Sequence, residues 1–562
     1  MRHGHYICTM QHPPFLEVNN LSLGFKSEGE VRMVLKGVSF SVYAGKTTAI
    51  VGESGSGKSV SSLSLMNLLP KNKVVYDAGQ FVFESIDHKD QIAPGALALE
   101  EMRGGKIAMI FQEPMTSLNP VMTCGEQIVE MLELHTQWKG RDAEKRAVEL
   151  FKEVLLPRPE QMFGQYPHQL SGGQRQRVMI AMAIAAEPSL LIADEPTTAL
   201  DVTVQASILE LLKNLQIKYG MAMIFITHDL GVVKAIADYI VVMKNGEVVE
   251  TGDAKQVLNH PNHTYTKGLL ECKPIPGVKL DRLKTMNAEY EPKIISEFSD
   301  EKKDVLISIN GLSKQYIKSS GIIFKKQEIV QAVHPLTFDI YEGETLGLVG
   351  ESGCGKTTLS RMLLGLIPSS SGEVVYQNCD LTKLNSSQWK TYRKDLQIIF
   401  QDPYSALNPK HTIGDLLMEP LIVLGLHRNQ HDRLQRVYQL LDQVGLPREA
   451  VNRYPHEFSG GQRQRIVIAR ALSVEPRFII CDESVAALDV SVQAQVLNLL
   501  NDLKKELGLT YLFISHDLSV VYHMSDRIMV MNKGKIEELG PAQQVYHQPI
   551  SDYTKKLLGS VM

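Results

Sequence analysis

The 562-residue chain contains the same ordered set of motifs twice. GESGSGKS at 52–59 returns as GESGCGKT at 350–357, and IFQEPMTSLNP at 110–120 as IFQDPYSALNP at 399–409. YPHQLSGGQRQR at 166–177 returns as YPHEFSGGQRQR at 454–465, and IADEPTTALDVTVQA at 192–206 as ICDESVAALDVSVQA at 480–494. IFITHDLGVV at 224–233 returns as LFISHDLSVV at 512–521. The offset is 298 residues at the first pair, 289 at the second and 288 at the other three. Such a period is far longer than the roughly 20–50 residues of a solenoid unit. The chain is therefore expected to hold two copies of one whole domain, residues 1–272 and 304–562. The stretch 273–303 between them is polar, holds three prolines and lacks sustained periodicity, and it reads as a linker, with a short structured extension of the first domain as the alternative.

Within each copy, short apolar strands alternate with helical stretches, which predicts an α/β fold around a mostly parallel sheet. Thr47 to Val51 and Thr345 to Val349 read as buried strands. Lys58 to Leu69 and Lys356 to Ile367 read as helices stopped by Pro70 and Pro368. Residues 124–156 and 413–446 read as a helical subdomain inserted into each α/β core.

Charge and composition narrow the function. Lys+Arg 59 against Asp+Glu 63 gives a net charge of −4, which argues against a nucleic-acid partner, because neutralising phosphates needs a basic surface. No window approaches the ~18–20 consecutive apolar residues of a membrane span, and residues 1–14 lack an apolar signal core. The six cysteines are scattered without a C-x-x-C pair, so a reducing cytoplasm is expected.

The first motif is a phosphate loop. Its residues are Gly52, Glu53, Ser54, Gly55, Ser56, Gly57, Lys58 and Ser59. The second copy has Gly350, Glu351, Ser352, Gly353, Cys354, Gly355, Lys356, Thr357 and Thr358. Glycines let the backbone turn sharply and bring its N–H groups to a polyphosphate, and the helix that follows offers its N-terminus. Lys58 and Lys356 add positive charge for the outer phosphates, and Ser59 and Thr357 offer hydroxyls to Mg²⁺.

Apolar strands 190–193 and 478–481 end in Asp194-Glu195 and Asp482-Glu483. Ligands of parallel sheets sit beyond the carboxyl ends of the strands. Asp194 and Asp482 are thus expected to hold Mg²⁺, and Glu195 and Glu483 to polarise an attacking water. Gln112 and Gln401 follow apolar strands and can contact Mg²⁺ or the water without adding charge. His228 and His516 lie 33 residues after their glutamates, each at a strand end, within reach of a terminal phosphate. Ser171-Gly172-Gly173-Gln174 and Ser459-Gly460-Gly461-Gln462 open helices expected to run to about Glu187 and Glu475. They give each copy a second anion-ready helix start.

This ordered set resembles the ATP-binding cassette (ABC) family, and the likeness covers nearly the whole chain twice. It implies two P-loop NTPase cassettes in tandem that hydrolyse ATP with Mg²⁺. In that family, two cassettes associate head to tail and each ATP lies between one phosphate loop and the other cassette's signature. One site would then join Lys58, Ser59, Gln112, Asp194, Glu195 and His228 to Ser459 and Gly461. The other would join Lys356, Thr357, Gln401, Asp482, Glu483 and His516 to Ser171 and Gly173. Asp201 and Asp489 would lie near the seam, and Phe25 and Tyr316 would stack on adenine.

QEPMTSLNP, QDPYSALNP, YPHQLSGGQ, YPHEFSGGQ and the tail His263 to Leu270 resemble the peptide and glutathione importer ATPases more closely. Copy two ends in a shorter tail, Tyr553 to Leu558. The resemblance implies two transmembrane permease subunits and an extracytoplasmic solute-binding protein as partners, and a peripheral place on the cytoplasmic face of the inner membrane. Two other readings are a soluble tandem cassette protein acting on ribosomes or DNA, and a nickel or other metal importer ATPase. The SGGQ signatures and the short, mixed-charge linker disfavour the first. Ser484 stands where copy one has Pro196, and Cys272 alone cannot build an iron–sulfur cluster.

Overall fold

The computed structural model describes residues 13–27, 29–84, 89–112, 117–198, 200–286, 290–295, 304–320, 326–427, 429–486 and 488–559. The chain separates into two compact units, one made of most residues up to Leu270 and one running from Glu271 onward.

The strands of the first unit are β1 (Leu16–Ser27), β2 (Glu30–Val42), β3 (Thr47–Val51), β4 (Val74–Glu84), β5 (Lys89–Ile92), β6 (Ile107–Ile110), β7 (Leu190–Asp194), β8 (Ala222–Thr227), β9 (Tyr239–Lys244) and β10 (Glu247–Asp253). They form two sheets. One is four-stranded, in the order β2-β1-β4-β5, and wholly antiparallel. The other is six-stranded, in the order β10-β9-β3-β8-β7-β6, and parallel except for the hairpin edge β10.

The inner parallel strands β3, β7 and β8 are buried along their whole length because both faces are covered. Alternation shows it directly. Leu190, Ile192, Ile224 and Ile226 point to the core shared with the antiparallel sheet. Leu191, Ala193, Met223 and Phe225 point to the core shared with the helical insertion.

The inserted helices Cys124–His135 and Gly140–Glu153 bury Ile128, Leu132, Ala143, Ala147, Leu150 and Phe151 in that second core. Thr123 and Glu126 start the first of them with a reciprocal capping box.

The second unit repeats the plan with β11 (Val305–Ser320), β12 (Lys326–Tyr341), β13 (Thr345–Val349), β14 (Ser371–Tyr376), β15 (Cys379–Asp380), β16 (Leu396–Ile399), β17 (Phe478–Asp482), β18 (Thr510–Ile514), β19 (Arg527–Asn532) and β20 (Lys535–Pro541). Its sheets have the orders β12-β11-β14-β15 and β16-β17-β18-β13-β19-β20. The insertion holds helices Ile413–Val423 and Gln430–Gln443. Among the described residues, no helix is long and apolar enough to cross a membrane.

Four helices stop earlier than the sequence predicts. The helix after the first phosphate loop spans Lys58–Leu65 rather than reaching Leu69, and its counterpart spans Lys356–Leu363. Asn67 (φ 48°) and Gly365 (φ 60°) adopt left-handed backbone there and end the helical ladder before the prolines can. The signature helices end at Ile184 and Leu472. Glu187 and Glu475, at φ 53° and 56°, precede Pro188 and Pro476, which disfavour helical backbone in the residue before them.

The described part of the stretch read as a linker packs as a strap on the second unit. Leu280 and Ile294 form an antiparallel bridge, with Asp281 N–H bonded to Lys293 O at 2.9 Å and Ile295 N–H to Lys279 O at 2.9 Å. Cys272 and Leu283 are buried in the second unit's core. On helix Val490–Leu507, the Asn498 side chain accepts from Leu283 N–H and donates to Leu283 O, both at 2.8 Å. Arg282 grips Asp502 one turn on, at 3.2 and 2.6 Å. The corresponding residues of the first unit's helix Val202–Tyr219 are Glu210 and Asn214, which cannot make these contacts in the same way.

Candidate functional site

Each phosphate loop leaves the carboxyl end of the third strand of its unit and enters a helix. Gly52 and Gly350 are required by close approach. A Cβ on either would lie 2.2 Å from a backbone oxygen of the neighbouring strand, Met243 O or Met531 O. Gly57 and Gly355 start their helices with φ 100° and 108° and with no side-chain cap, so the first-turn N–H groups are left for an anion. Glu53, Ser54, Glu351 and Ser352 face outward to differing degrees. Ser56 and Cys354 turn under their loops and are buried, so only their backbone can serve a phosphate.

Lys58 and Lys356 are buried, at 6% and 7% exposure. Each ammonium lies over its own loop. Lys58 Nζ donates to Gly52 O (2.8 Å) and Glu53 O (2.9 Å), and Lys356 Nζ to Gly350 O (2.6 Å) and Glu351 O (3.1 Å). A buried cation at a helix N-terminus sets up a field that favours an anionic ligand.

At the end of β7, the Ser59 hydroxyl donates to Asp194 Oδ1 at 3.1 Å. Burial, reinforced by the Glu195 charge, pushes the Asp194 carboxyl up to about 6, against the pull of Ser59 and Lys58. Burial also pushes Asp482 up. A carboxylate short of water, beside a hydroxyl, is a hard-oxygen donor set that suits Mg²⁺ and would regain by binding it the charge stabilisation lost on burial. Thr357 and Thr358 occupy the equivalent helix start in the second unit.

Glu195 and Glu483 step off the strand ends with φ 46° and 47°. Both glutamates thus adopt left-handed backbone where the chain turns off the sheet. Gln112 Nε2 donates to Glu195 at 2.9 Å, and Gln401 Nε2 to Glu483 at 2.6 Å. Both glutamines therefore engage the glutamate in this structure rather than the aspartate.

His228 Nδ1 lies 3.3 Å from Glu195, whereas His516 Nδ1 is 3.9 Å from Glu483. Thr198 Oγ1 also donates to Glu195, at 3.0 Å. The second unit has Ala486 at that place. Burial would raise the Glu195 carboxyl, but His228, Thr198 and Lys58 outweigh it and hold the group down at about 2.

The signature serines cap their own helices. Ser171 Oγ accepts from Gln174 N–H while Gln174 returns its side-chain oxygen to Ser171 N–H, and Ser459 and Gln462 repeat the box. A capping hydroxyl that accepts a hydrogen bond keeps its own proton to donate. Gly173 and Gly461 lie against the next long helix of the same unit, where a Cβ would come within 2.8 Å of Val204 and 2.2 Å of Val492. Phe25 is half-buried on β1 against the antiparallel-sheet core. Tyr316 is 43% exposed on β11, with Lys314 Nζ 5.2 Å from its ring centre.

Three features escaped the sequence reading. Thr198 lies within the repeated 192–206 motif, but nothing there marks its hydroxyl as a partner of Glu195. The glutamine of SGGQ completes an S-x-x-Q capping box, a signal that was present. The tail tyrosines Tyr265 and Tyr553 reach the phosphate loops, with their hydroxyls accepting from Glu53 N–H at 3.2 Å and Glu351 N–H at 3.3 Å.

Comparison with known proteins agrees with this architecture. The ABC transporter family model matches residues 35–198 and again 333–486. The model for the oligopeptide/dipeptide transporter C-terminal region matches residues 249–298. The glutathione import ATP-binding protein GsiA of Pectobacterium atrosepticum is 45% identical over 556 residues, a match covering 97% of this chain and 89% of the relative. The protein of that name from Escherichia coli strain K12 is 46% identical over 561 residues, with the same coverage. Two matched cassettes and likeness along nearly the whole length place this chain in the ABC transporter family, as an ATP-binding, ATP-hydrolysing protein with two cassettes.

Proposed function

We propose that the chain is the ATPase subunit of a bacterial importer for peptides or glutathione-like solutes, working from the cytoplasmic face of the inner membrane. Its partners are two transmembrane permease subunits and an extracytoplasmic solute-binding protein. The observation that carries this reading is the oligopeptide-type tail at 249–298, joined to full-length likeness to proteins named for glutathione import.

The chemistry is attack of water on the γ-phosphate of ATP. Lys58 or Lys356 and the loop N–H groups bind the triphosphate. Ser59, Asp194 and Gln112, or Thr357, Asp482 and Gln401, would hold Mg²⁺, which when bound neutralises phosphate charge. Glu195 and Glu483 accept a hydrogen bond from the attacking water and orient it. Orientation of the water against the γ-phosphate suits a loose phosphoryl-transfer transition state. His228 and His516 reach the γ-phosphate. Ser171 with Gly173 and Ser459 with Gly461 cap the nucleotide held by the other cassette, and Phe25 and Tyr316 stack on its adenine. Phe111 and Phe400, each next to a site glutamine, are 40% and 43% exposed. The inserted helical region that follows each site glutamine is the face that meets the permeases.

Transport decides the cargo. Deleting the chain in its native host is expected to abolish uptake of labelled glutathione or short peptides while sparing nickel uptake. Unchanged uptake of both organic solutes, or loss of nickel uptake alone, overturns the reading.

A further prediction concerns Thr198. In a Glu483→Gln background, Thr198→Val is expected to slow turnover at the first site about ten-fold, the worth of one hydrogen bond to a charged group. An unaltered rate of phosphate release would remove Thr198 from the site.

A further inference from the structure

The tail of each unit is built to deliver one hydroxyl to the phosphate loop. In the first unit, Glu250 on β10 receives Asn262 N–H at 2.7 Å and His263 N–H at 3.2 Å. His263 Nδ1 then accepts from Tyr265 N–H at 3.1 Å, opening helix Thr264–Glu271. In the second unit, Glu538 receives Ile550 N–H (2.9 Å) and Ser551 N–H (3.1 Å), and Ser551 Oγ accepts from Tyr553 N–H at 3.2 Å. The chemistry of the turn differs, histidine in one and serine in the other. The outcome is the same: a tyrosine at the helix start whose hydroxyl meets the loop's second residue.

Each contact bears on a peptide group that is held at both ends. The Gly52–Glu53 peptide gives its N–H to Tyr265 and its C=O to Lys58 Nζ. The Gly350–Glu351 peptide gives its N–H to Tyr553 and its C=O to Lys356 Nζ. Chains of hydrogen bonds through an amide polarise one another and resist rotation of the peptide plane. The ammonium is therefore carried on a peptide whose orientation the tail fixes. Tyr265 is 2% exposed, and Lys244 Nζ lies 4.7 Å from its ring centre, so the ring has little freedom to swing away.

We propose that Tyr265 and Tyr553 are positioning residues for ATP binding, which set the place of Lys58 and Lys356 by clamping the first peptide of each phosphate loop. The tail thereby becomes part of the nucleotide site. This rests on the reading of the two lysines as phosphate ligands.

The test is Tyr265→Phe with Tyr553→Phe in the full-length chain, which keeps both rings and removes only the acceptors. The dissociation constants for ATP and ADP, measured calorimetrically, are expected to rise about five-fold, the scale of one neutral hydrogen bond. Turnover at saturating ATP should stay within about two-fold, because the clamp acts on the bound triphosphate and transition state alike. Hydrogen exchange in the 47–58 and 345–356 peptides should quicken while the sheets stay protected. Lower thermal stability with unchanged affinities and unchanged loop exchange would mean a structural role and overturn the proposal. Lys58→Met with Lys356→Met separates the two readings. If these variants bind ATP normally, the phosphate-ligand reading fails. If they lose binding while the phenylalanine variants keep full affinity, only the clamp fails.

Discussion

Replacing both Glu195 and Glu483 by glutamine is expected to lower ATP turnover by about 10²–10⁴-fold, the range for loss of a positioned acceptor at the reacting water. ATP binding should change by no more than a few-fold. Each glutamate is held at a strand end by backbone at φ 46° or 47° and by a glutamine at 2.9 or 2.6 Å. Glutamine fits the same space but carries no charge, and it can turn its NH₂ toward the water and present a donor where an acceptor is needed. The double variant should therefore bind ATP and hold it. Phosphate release by the purified chain, with equilibrium binding of ATP in parallel, reads both quantities. Retention of more than a tenth of the wild-type rate would remove these residues from the chemistry.

The single variants carry further information. Glu195 has Thr198 and a nearer histidine, and Glu483 has Ala486 and His516 at 3.9 Å. Losing Glu195 should cost more of the total rate than losing Glu483.

The second large effect is on stability. Asn498→Ala is expected to destabilise the second cassette by about 3 kcal/mol, because Leu283 N–H and C=O would both lose their partner in a buried place, at about 1–3 kcal/mol each. A cassette of this size has only about 5–15 kcal/mol to lose. The melting transition should fall by about 6–12 °C. Trypsin cleavage at Lys279, Arg282 and Lys284 should accelerate by at least about ten-fold if the strap opens before the cassette does. Arg282→Ala tests the neighbouring pair with Asp502, which is 46% and 38% exposed, and should cost under about 1 kcal/mol. Glu210→Asn, at the exposed equivalent place in the first cassette, should be silent. A strap equally resistant to trypsin in Asn498→Ala would show that these two bonds do not hold it.

The sequence exposed the motifs, their duplication and the parallel sheets, because local features announce them. Glycines cluster where backbone must turn, and uninterrupted apolar runs mark strands covered on both faces. The antiparallel sheets were not foreseen. Their strands β1, β2, β11 and β12 run 12 to 16 residues with register shifts, and these breaks blur the alternation that would reveal them. The contacts of the tail tyrosines are invisible for another reason: their partners lie in loops brought close only by the fold, 212 residues away in the case of Tyr265 and Glu53. Thr198 lies only three residues from Glu195, but a threonine in a turn has several local hydrogen-bonding roles, and sequence alone does not show which one its hydroxyl takes. The strap was read as a linker because its anchors are two backbone groups of Leu283 and a bridge between Leu280 and Ile294, and backbone pairing leaves little trace in composition.

The amide at position 498 also breaks the equivalence of the two halves. A tandem built from two first cassettes would meet a glutamate where the connecting peptide needs both a donor and an acceptor. One built in reverse order would lead with the half that carries the berth and follow with the half that lacks it. Although the duplicated motifs look exchangeable, the chain has acquired a polarity: shuffling the halves would leave the connector without its seat.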